Sequence, residues 1–277
     1  MYCDNMFNLR NSTNILQEDI AFSIAYNTAY ANIMLKMLFL AFLTVCFYAS
    51  HIKTIPKKRG PTIISIEGNI GTGKSTFIDK LQDYFQRINN DLKIGFIPEP
   101  VNIWNSVTDD AGVTILEKYY DNQYKYAFPF QMMAYISRLS IMREALKQDY
   151  DFIIMERSMF TDCEVFAKML YDDKKIESIE YNIYKKWFDE FINDFPDIWH
   201  IYIQADPTVS QTRVLKRERS GENIPLSYLE KCHEYHEKWL LEGENEPVLI
   251  LDGNKDMNEG EYTEWLAQVE EIIRKTA

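Results

Sequence analysis

Residues 63–76 constrain the fold of this chain more than any other stretch. The β-branched run Ile63–Ile66 leads into a glycine-rich loop that ends in Lys74-Ser75-Thr76, and a helix-compatible segment, Phe77 to Phe85, follows. A strand, the spacing G-x-x-x-x-G-K-[ST] and a helix are the parts of a phosphate-binding loop in the context that it requires. A chance glycine-rich turn would not be expected to match the four fixed positions of this eight-residue pattern directly after a strand. The pattern therefore predicts a nucleotide-binding protein.

Each part of this loop has a physical reason to hold phosphate. Glycines permit turns that direct several backbone N–H groups into one concavity, and the N-terminus of the following helix adds partial positive charge. Lys74 supplies a point charge for the β- and γ-phosphates, and the Ser75 hydroxyl can ligate Mg²⁺. The predicted nucleotide-binding residues are Gly68, Asn69, Ile70, Gly71, Thr72, Gly73, Lys74, Ser75 and Thr76.

Composition limits what else the chain can be. Its 277 residues are 46% hydrophobic, which suffices for one large α/β domain, alone or with an extension. The net charge is −12, whereas proteins that neutralise many nucleic-acid phosphates are normally basic, so a DNA or RNA polymer is a poor partner. The four cysteines are scattered, which argues against a zinc site or a disulfide framework and for a reducing compartment.

The first sixty residues differ in charge from the rest. They hold six basic and three acidic residues, a net charge of +3, which leaves −15 for the remainder. The apolar run Met37–Ala49 is shorter than the roughly 20 residues that span a bilayer. Three interpretations stay open: a targeting or anchor segment, a marginal membrane helix with a basic flank, or an extension that is cleaved or poorly ordered. We expect a cytoplasmic protein unless this extension directs it to mitochondria or a membrane.

Two further predicted strands end in charged residues. Leu92–Ile97 precedes Glu99, which two flanking prolines hold extended, and Phe152–Met155 runs into Glu156-Arg157. Open α/β sheets bind ligands at the carboxyl ends of their strands, where nucleotide-binding enzymes also hold the Mg²⁺ that bridges the phosphates. The strand-end position marks Glu99 and Glu156 as candidate site residues, although Glu99 alone could also be a solvated loop carboxylate.

Two helical segments carry candidate binding residues. Gln131, Ala134 and Arg138 fall on one helix face, where they either line a polar pocket or belong to an ordinary amphipathic helix with solvated Gln and Arg. Further along, a basic cluster precedes Ser-Gly and predicts a lid over a phosphoryl group, with a surface charge run as the alternative. Its members are Arg213, Lys216, Arg217 and Arg219.

Strand–helix alternation sets the expected architecture. With about five strands, it predicts an α/β fold of the P-loop NTPase type: a doubly wound parallel sheet with helices on both faces and an arginine-rich lid. We expect the last strand at Val248–Asp252 and a single solvated helix over Tyr171–Phe195.

Taken together, these motifs resemble the deoxyribonucleoside kinase family, in its deoxycytidine and deoxyguanosine kinase branch. The resemblance covers Ile63 to Lys275 and rests on several separated motifs in the right order. They are I-E-G-N-I-G-T-G-K-S-T at 66–76, P-E-P-V at 98–101 with Trp104, F-Q at 130–131, E-R-S at 156–158, R-x-x-x-R-x-R at 213–219 and I-P-L-x-Y-L-E at 224–230. This set is specific, although one phosphate loop alone is common to many families. It implies a kinase domain over residues 61–277 that moves the γ-phosphate of ATP to the 5′-hydroxyl of a deoxyribonucleoside in nucleotide salvage, with Mg²⁺ and as a homodimer.

The resemblance also implies residue roles. Glu99 would be the general base for the 5′-hydroxyl, Arg157 would neutralise the transferring group, and Glu156 would help Ser75 hold Mg²⁺. Stabilisation of the equatorial oxygens would fall to Lys74 and the lid arginines Arg213, Arg217 and Arg219. The implied nucleoside contacts are Gln131 for the base, Trp104 and Phe166 as walls, and Tyr120 and Glu222 for the sugar 3′-hydroxyl.

Base preference follows from one further feature of the resemblance. Ala134, Arg138 and Asp162 look like a trio of the deoxycytidine and deoxyguanosine branch, whereas thymidine-preferring relatives lack the charged pair. We therefore expect deoxycytidine or deoxypurines to be preferred over thymidine. The alternatives are a nucleoside monophosphate kinase of the thymidylate kinase type, or a non-catalytic nucleotide-binding subunit. The motifs around Glu99 and Arg157 argue against both, because neither alternative needs a base for a 5′-hydroxyl.

Overall fold

A five-stranded parallel sheet forms the centre of the part of the chain that the structure describes. The computed structural model describes residues 60–88, 91–217, 224–243, 249–255 and 259–276. The strands are β1 (Thr62–Glu67), β2 (Ile94–Ile97), β3 (Phe152–Glu156), β4 (Ile198–Gln204) and β5 (Leu249–Asp252). Their order is β2-β3-β1-β4-β5, all parallel. This confirms the predicted doubly wound sheet and its number of strands.

Helices cover both faces of this sheet. In chain order they are α1 (Lys74–Arg87), α2 (Val101–Ser106), α3 (Ile115–Asp121), α4 (Gln123–Ala145), the π-helical segment Thr161–Ala167, α5 (Lys168–Asp172), α6 (Ser178–Ile192), α7 (Pro207–Arg217), α8 (Leu226–Leu240) and α9 (Glu259–Thr276). Phe77 of α1 and Val269 of α9 pack with Ile64 on one face, while Met142 of α4 and Phe188 of α6 pack on the other. Burial of each such side chain contributes roughly 1.5–3 kcal/mol.

Strand β1 shows how this packing positions the site. Successive side chains of a strand point to opposite faces, so Ile64 joins the α1 and α9 core while Ile63 joins the α4 and α6 core. Ser65 and Glu67 share the parity of Ile63, and both are completely buried. Buried polar groups need hydrogen-bond partners, and these two residues find theirs on β4 and just beyond β3.

The prediction of a single helix over Tyr171–Phe195 is wrong, because the structure has two helices separated by a turn. The π-helical segment and α5 end at Asp172, the chain turns through Lys174 with φ of 62°, and α6 starts anew at Ser178. A capping box between Glu177 and Glu180 begins α6, because each side chain accepts a hydrogen bond from the other residue's backbone N–H. Neither Gly nor Pro marks this break in the sequence.

Helix α4 begins at Gln123, before Phe128, where apolar residues start to recur at helical spacing in the sequence. Asn122 caps it, since its side-chain oxygen accepts a hydrogen bond from the Lys125 N–H at 3.2 Å. Pro129 lies inside the helix. The face predicted to carry Gln131, Ala134 and Arg138 is turned into the protein, and these three side chains are 2%, 4% and 2% exposed. The alternative of a solvated Gln and Arg is therefore excluded.

Some predictions fall outside the described residues. These are the N-terminal extension up to Arg59 and the two lid positions Arg219 and Glu222. Within the part of the chain that the structure describes, no helix is both long enough and apolar enough to span a membrane.

Candidate active site

A cavity of about 510 Å³ lies where β1, β2 and β3 end, and most of the predicted site residues line it. The predicted residues in its wall are Ile70, Gly71, Thr72, Gly73, Lys74, Ser75, Thr76, Glu99, Trp104, Tyr120, Gln131, Arg138, Glu156, Arg157, Asp162, Phe166, Arg213 and Arg217. Two predicted nucleotide-binding residues, Gly68 and Asn69, are not among the residues that line the cavity. The phosphate loop thus lines one end of a continuous space. The residues expected to contact the nucleoside line the rest, which we call the groove: Trp104, Tyr120, Gln131, Arg138, Asp162 and Phe166.

The phosphate loop is held in a conformation that requires glycine. Gly71 and Gly73 have φ of 85° and 94°, in the left-handed region that disfavours residues with a Cβ. A Cβ at Gly71 would also collide with the carbonyl oxygen of Ser210 in α7. The Asn69 side chain donates to the Leu229 carbonyl in α8 at 2.8 Å, so this residue ties the loop to a helix instead of facing the cavity.

Lys74 is buried at the floor of the loop, where its ammonium group donates to the Asn69 carbonyl at 2.7 Å. Burial and the nearby Arg157 lower the pKa of Lys74 to about 7, although Glu156 and Glu99 oppose this shift. A bound phosphate would favour the charged form. The protonation of Lys74 is thus sensitive to what occupies the cavity.

Glu99 and Arg157 form a hydrogen-bonded ion pair in the middle of the cavity. The Glu99 side chain is 17% exposed, and the Arg138 guanidinium lies 3.9 Å from it. Burial alone would raise the pKa of Glu99, but Arg157, Arg138 and Lys74 outweigh burial and lower the pKa to about 2. At neutral pH Glu99 is therefore ionised, which is the state that can accept a proton.

Arg157 reaches this position from an unusual backbone. Its φ is 58°, in the left-handed region, and its N–H donates to the Ile66 carbonyl at 3.1 Å. Its guanidinium lies 5.4 Å from the centre of the Phe166 ring and 3.4 Å from the Gly68 carbonyl, to which it donates. The side chain is thus placed between the loop and the groove.

The groove ends in a buried ion pair. Arg138 Nε donates to Asp162 at 2.9 Å, and its Nη1 donates to the Glu156 carbonyl at 2.6 Å. Beside this pair, the Gln131 side-chain oxygen is buried and has no hydrogen-bond partner among the described residues. An unpaired amide oxygen facing a cavity is an acceptor that a ligand N–H could satisfy.

Comparison with known proteins identifies the family. Residues 64–274 match the deoxynucleoside kinase family model. The chain belongs to the deoxynucleoside kinase family. It is 37% identical over 201 residues to a probable deoxycytidine kinase of Fowlpox virus, covering 70% of this chain and 79% of the relative. It is 32% identical over 241 residues to the deoxycytidine kinase of Homo sapiens (76% and 90%), and 31% identical over 222 residues to the mitochondrial deoxyguanosine kinase of Xenopus laevis (70% and 82%).

Membership makes this chain an ATP-dependent kinase that phosphorylates deoxynucleosides in nucleotide salvage. It decides against the two alternatives of a nucleoside monophosphate kinase and a non-catalytic subunit. The side chains that line the cavity are the candidates for each step of the reaction.

The walls of the kinase groove include aromatic residues to which the sequence motifs assign no role. Tyr119 stacks on Phe130 with ring centres 4.6 Å apart, and Trp104 meets Phe130 edge-on at 5.4 Å. The Tyr119 hydroxyl is 2.8 Å from that of Tyr228 in α8, and both rings line the cavity. The crowded tyrosines between 119 and 126 were a signal for Tyr119, but only Tyr120 matched a family position. Tyr228 is the tyrosine of the I-P-L-x-Y-L-E stretch, but the sequence analysis assigned it no role.

Ser75 and Glu156 meet at the phosphate end of the cavity of this kinase. The Ser75 hydroxyl donates to the Glu156 carboxylate at 3.1 Å. Hydroxyl and carboxylate oxygens fit Mg²⁺, which usually takes one or two carboxylates together with phosphate oxygens and water. No group of three or more His, Cys, Asp or Glu side chains that could hold a metal occurs among the described residues. The Ser75 and Glu156 oxygens would be enough for a cation whose other ligands are phosphate oxygens and water.

Arg213 and Arg217 of the kinase lid helix differ in their contacts. Arg213 donates to the Gly253 and Lys255 carbonyls, at 2.7 Å each, so it ties α7 to the loop after β5. Arg217 lines the cavity at the end of α7 and lies near enough to Lys74 to lower its pKa. Arg213 lines the cavity as well, so both side chains lie in the wall of the space next to the phosphate loop.

Proposed function

We propose that this enzyme transfers the γ-phosphate of Mg-ATP to the 5′-hydroxyl of deoxycytidine or a deoxypurine nucleoside, in preference to thymidine. The observation that carries the proposal is the single cavity in which the phosphate loop, the ionised Glu99 and the Arg138–Asp162 pair lie in sequence. A donor phosphate at one end and a base at the other would place the sugar hydroxyl between them, beside Glu99.

Glu99 would take the proton of the 5′-hydroxyl as that oxygen attacks the phosphate. While it is paired with Arg157, its pKa of about 2 makes it a weak base. If the Arg157 guanidinium turns toward the transferring phosphoryl group, Glu99 loses its nearest positive charge and becomes more basic. Arg157 would thus link the arrival of the phosphate to the strength of the base.

Charge that develops on the transferring group would be stabilised from several sides. Lys74, Arg157 and Arg217 all line the cavity near the loop, and positioning with electrostatic stabilisation is most of the catalysis in phosphoryl transfer. Ser75 and Glu156 would hold Mg²⁺, which neutralises phosphate charge when bound. Arg219 remains a predicted member of this group.

Base preference would come from the buried polar groups at the far end. The Gln131 oxygen lacks a partner among the described residues, and Asp162 lines the same cavity. Both are acceptors, and Arg138 already donates to Asp162, so an exocyclic amino group can donate to either oxygen, whereas the O4 carbonyl of thymine in the same place could donate to neither. A site built to hydrogen-bond one group rejects an analogue that lacks it.

We also propose that the enzyme is a homodimer. The family resemblance implies this state, and the adjacent helices α4 and α6 expose large apolar side chains that support it. These are Ile136, Ile179, Ile183 and Trp187, which are 48%, 63%, 41% and 47% exposed. Light scattering on the full chain should give twice the monomer mass.

The reaction and its base preference are tested by a substrate panel. The full chain is incubated with Mg-ATP and each deoxynucleoside, and with deoxycytidine and thymidine monophosphates as the competing acceptors. We expect kcat/KM for deoxycytidine or a deoxypurine to exceed that for thymidine by on the order of 100-fold or more. Equal values for deoxycytidine and thymidine would contradict the proposed role of the Arg138–Asp162 pair, and phosphorylation of monophosphates alone would contradict the reaction.

A further inference from the structure

Glu67 directly precedes the phosphate loop but does not line the cavity. It is completely buried at the end of β1, on the face that carries Ile63 and Ser65. A buried carboxylate is costly unless other groups hydrogen-bond to it. Its partners therefore show what it does.

Two hydrogen bonds to Glu67 come from the segment just after β3. The Ser158 N–H donates to Oε1 at 3.0 Å, and the Thr161 hydroxyl donates to Oε2. His200 Nδ1 lies 3.6 Å away on β4. Burial would raise the pKa of Glu67, but His200, Thr161 and Ser158 outweigh burial and hold it well below its usual range. Glu67 is thus an ionised acceptor aimed at the residue that follows Arg157.

Arg157 itself needs to be held. With φ of 58° it occupies the left-handed region, which is disfavoured for residues with a Cβ and persists only where the surroundings fix it. Its own N–H is bound by the Ile66 carbonyl, and the next N–H is bound by the Glu67 carboxylate. The last two residues of β1 therefore clamp the peptide groups on both sides of Arg157.

The direction of the Arg157 side chain depends on this turn. In the left-handed conformation its guanidinium reaches Glu99 and the Gly68 carbonyl from inside the cavity. A return to right-handed backbone would redirect the Cα–Cβ bond and move the guanidinium away from both. Displacements of about 1 Å at a catalytic group can lower a rate 100-fold.

We propose that Glu67 is a positioning residue: its carboxylate binds the Ser158 N–H, and this hydrogen bond fixes the left-handed turn that presents Arg157 to the transferring phosphate. The inference rests on the proposed function for what Arg157 does once it is presented. The hydrogen bond, and not the charge of Glu67, is the part that matters.

Two conservative variants distinguish the effect of the length of the Glu67 side chain from the effect of its charge. Glu67→Asp keeps the charge but shortens the side chain by one methylene, so its carboxylate no longer reaches the Ser158 N–H. Glu67→Gln keeps the length and one carbonyl oxygen, so it can still accept from Ser158 while its amide group faces Thr161. Ser65→Ala is the matched control, since Ser65 lies on the same buried face of β1 and contacts His200 at 2.8 Å without touching the turn.

The expected result is that Glu67→Asp lowers kcat on the order of 10- to 100-fold, with KM for ATP and for nucleoside nearly unchanged. Glu67→Gln and Ser65→Ala should keep kcat within about threefold. In an Arg157→Ala background, Glu67→Asp should produce no further loss, because the residue acts through Arg157. An additive loss in that background, or a larger loss in Glu67→Gln than in Glu67→Asp, would overturn the proposal.

Amide hydrogen exchange gives a readout that does not depend on the proposed function. Exchange of the peptide that spans Arg157 and Ser158 should accelerate in Glu67→Asp and remain slow in Glu67→Gln. Fast exchange in Glu67→Asp with unchanged kcat would show that Glu67 holds the turn but that the rate does not depend on how Arg157 is presented, so the catalytic role proposed for Arg157 would fail. Unchanged exchange in Glu67→Asp would overturn the role of Glu67.

Discussion

Replacement of Arg138 by Met should destabilise the enzyme in a manner that depends on pH. Arg138 and Asp162 are each 2% exposed and joined at 2.9 Å. Burial raises the pKa of Asp162, and the Arg138 guanidinium opposes that rise. Without Arg138 the pKa of Asp162 rises further, with Glu99 adding to the rise and Arg157 opposing it. The folded variant then prefers a protonated Asp162, whereas the unfolded chain does not.

The size of the effect follows from proton linkage. Neutralising a carboxyl with an unfolded pKa of about 3.9 costs roughly 4 kcal/mol at pH 7 and roughly 1.5 kcal/mol at pH 5. The value at pH 7 agrees with the roughly 3–5 kcal/mol lost when one partner of a buried ion pair is removed. Because the folded pKa is raised, the stability is present at acidic pH and is lost as pH rises toward the folded pKa. The penalty should therefore grow by up to about 1.4 kcal/mol per pH unit.

Urea unfolding at pH 5, 6 and 7 measures this penalty directly, as the difference between variant and parent at each pH. The double variant Arg138→Met/Asp162→Ala is the control, since it buries no unpaired carboxylate and should show a smaller penalty that does not change with pH. A penalty for Arg138→Met that stays constant from pH 5 to pH 7, or equals that of the double variant at pH 7, would refute the reasoning.

Three further predictions concern specificity, the phosphate loop and the groove wall. The double variant Arg138→Met/Asp162→Ala should raise the ratio of kcat/KM for thymidine to that for deoxycytidine by about tenfold or more, and an unchanged ratio in competition assays would contradict the proposed base contacts. Gly71→Ala should lower the free energy of unfolding in urea by about 2–4 kcal/mol, and Gly73→Ala by about 1–2 kcal/mol. Both glycines are left-handed, but only position 71 lacks room for a Cβ. Equal losses in the two variants would refute this difference. Tyr228→Phe should lose about 1 kcal/mol of stability and raise KM for nucleoside a few-fold while KM for ATP is unchanged, and a change confined to ATP would contradict its place in the groove.

The elements that sequence predicts here are those with a local chemical signature. The phosphate loop, the strand-end acids and the face of α4 were found because glycine spacing, β-branched runs and helical periodicity are set by neighbouring residues. The ion pair between Arg138 and Asp162 spans two elements, and it was anticipated through family resemblance instead of spacing. The cavity then brings its two members together.

The features that the sequence did not predict depend on contacts between distant segments of the chain. The break before α6 has no Gly or Pro, and it forms because Lys174 takes a left-handed turn and Glu177 starts a capping box. The motif predicts nucleotide binding for Asn69, but it does not predict that the Asn69 side chain donates to a carbonyl 160 residues away in α8. Burial of Glu67 against Ser158 is likewise a tertiary property. Such pairings appear only once the sheet is assembled.

The most direct test of Glu99 as the catalytic base is single-turnover phosphorylation of deoxycytidine by the full chain carrying Glu99→Gln. Glu144→Gln is the matched control, since Glu144 lies on the exposed side of α4, a helix that also carries cavity-lining residues, and its side chain pairs only with Lys147 in the contacts of the described residues. We expect the rate of the chemical step in Glu99→Gln to fall on the order of 100- to 10,000-fold, with deoxycytidine binding nearly unchanged and the control at the parental rate. A parental rate in Glu99→Gln would contradict the mechanism.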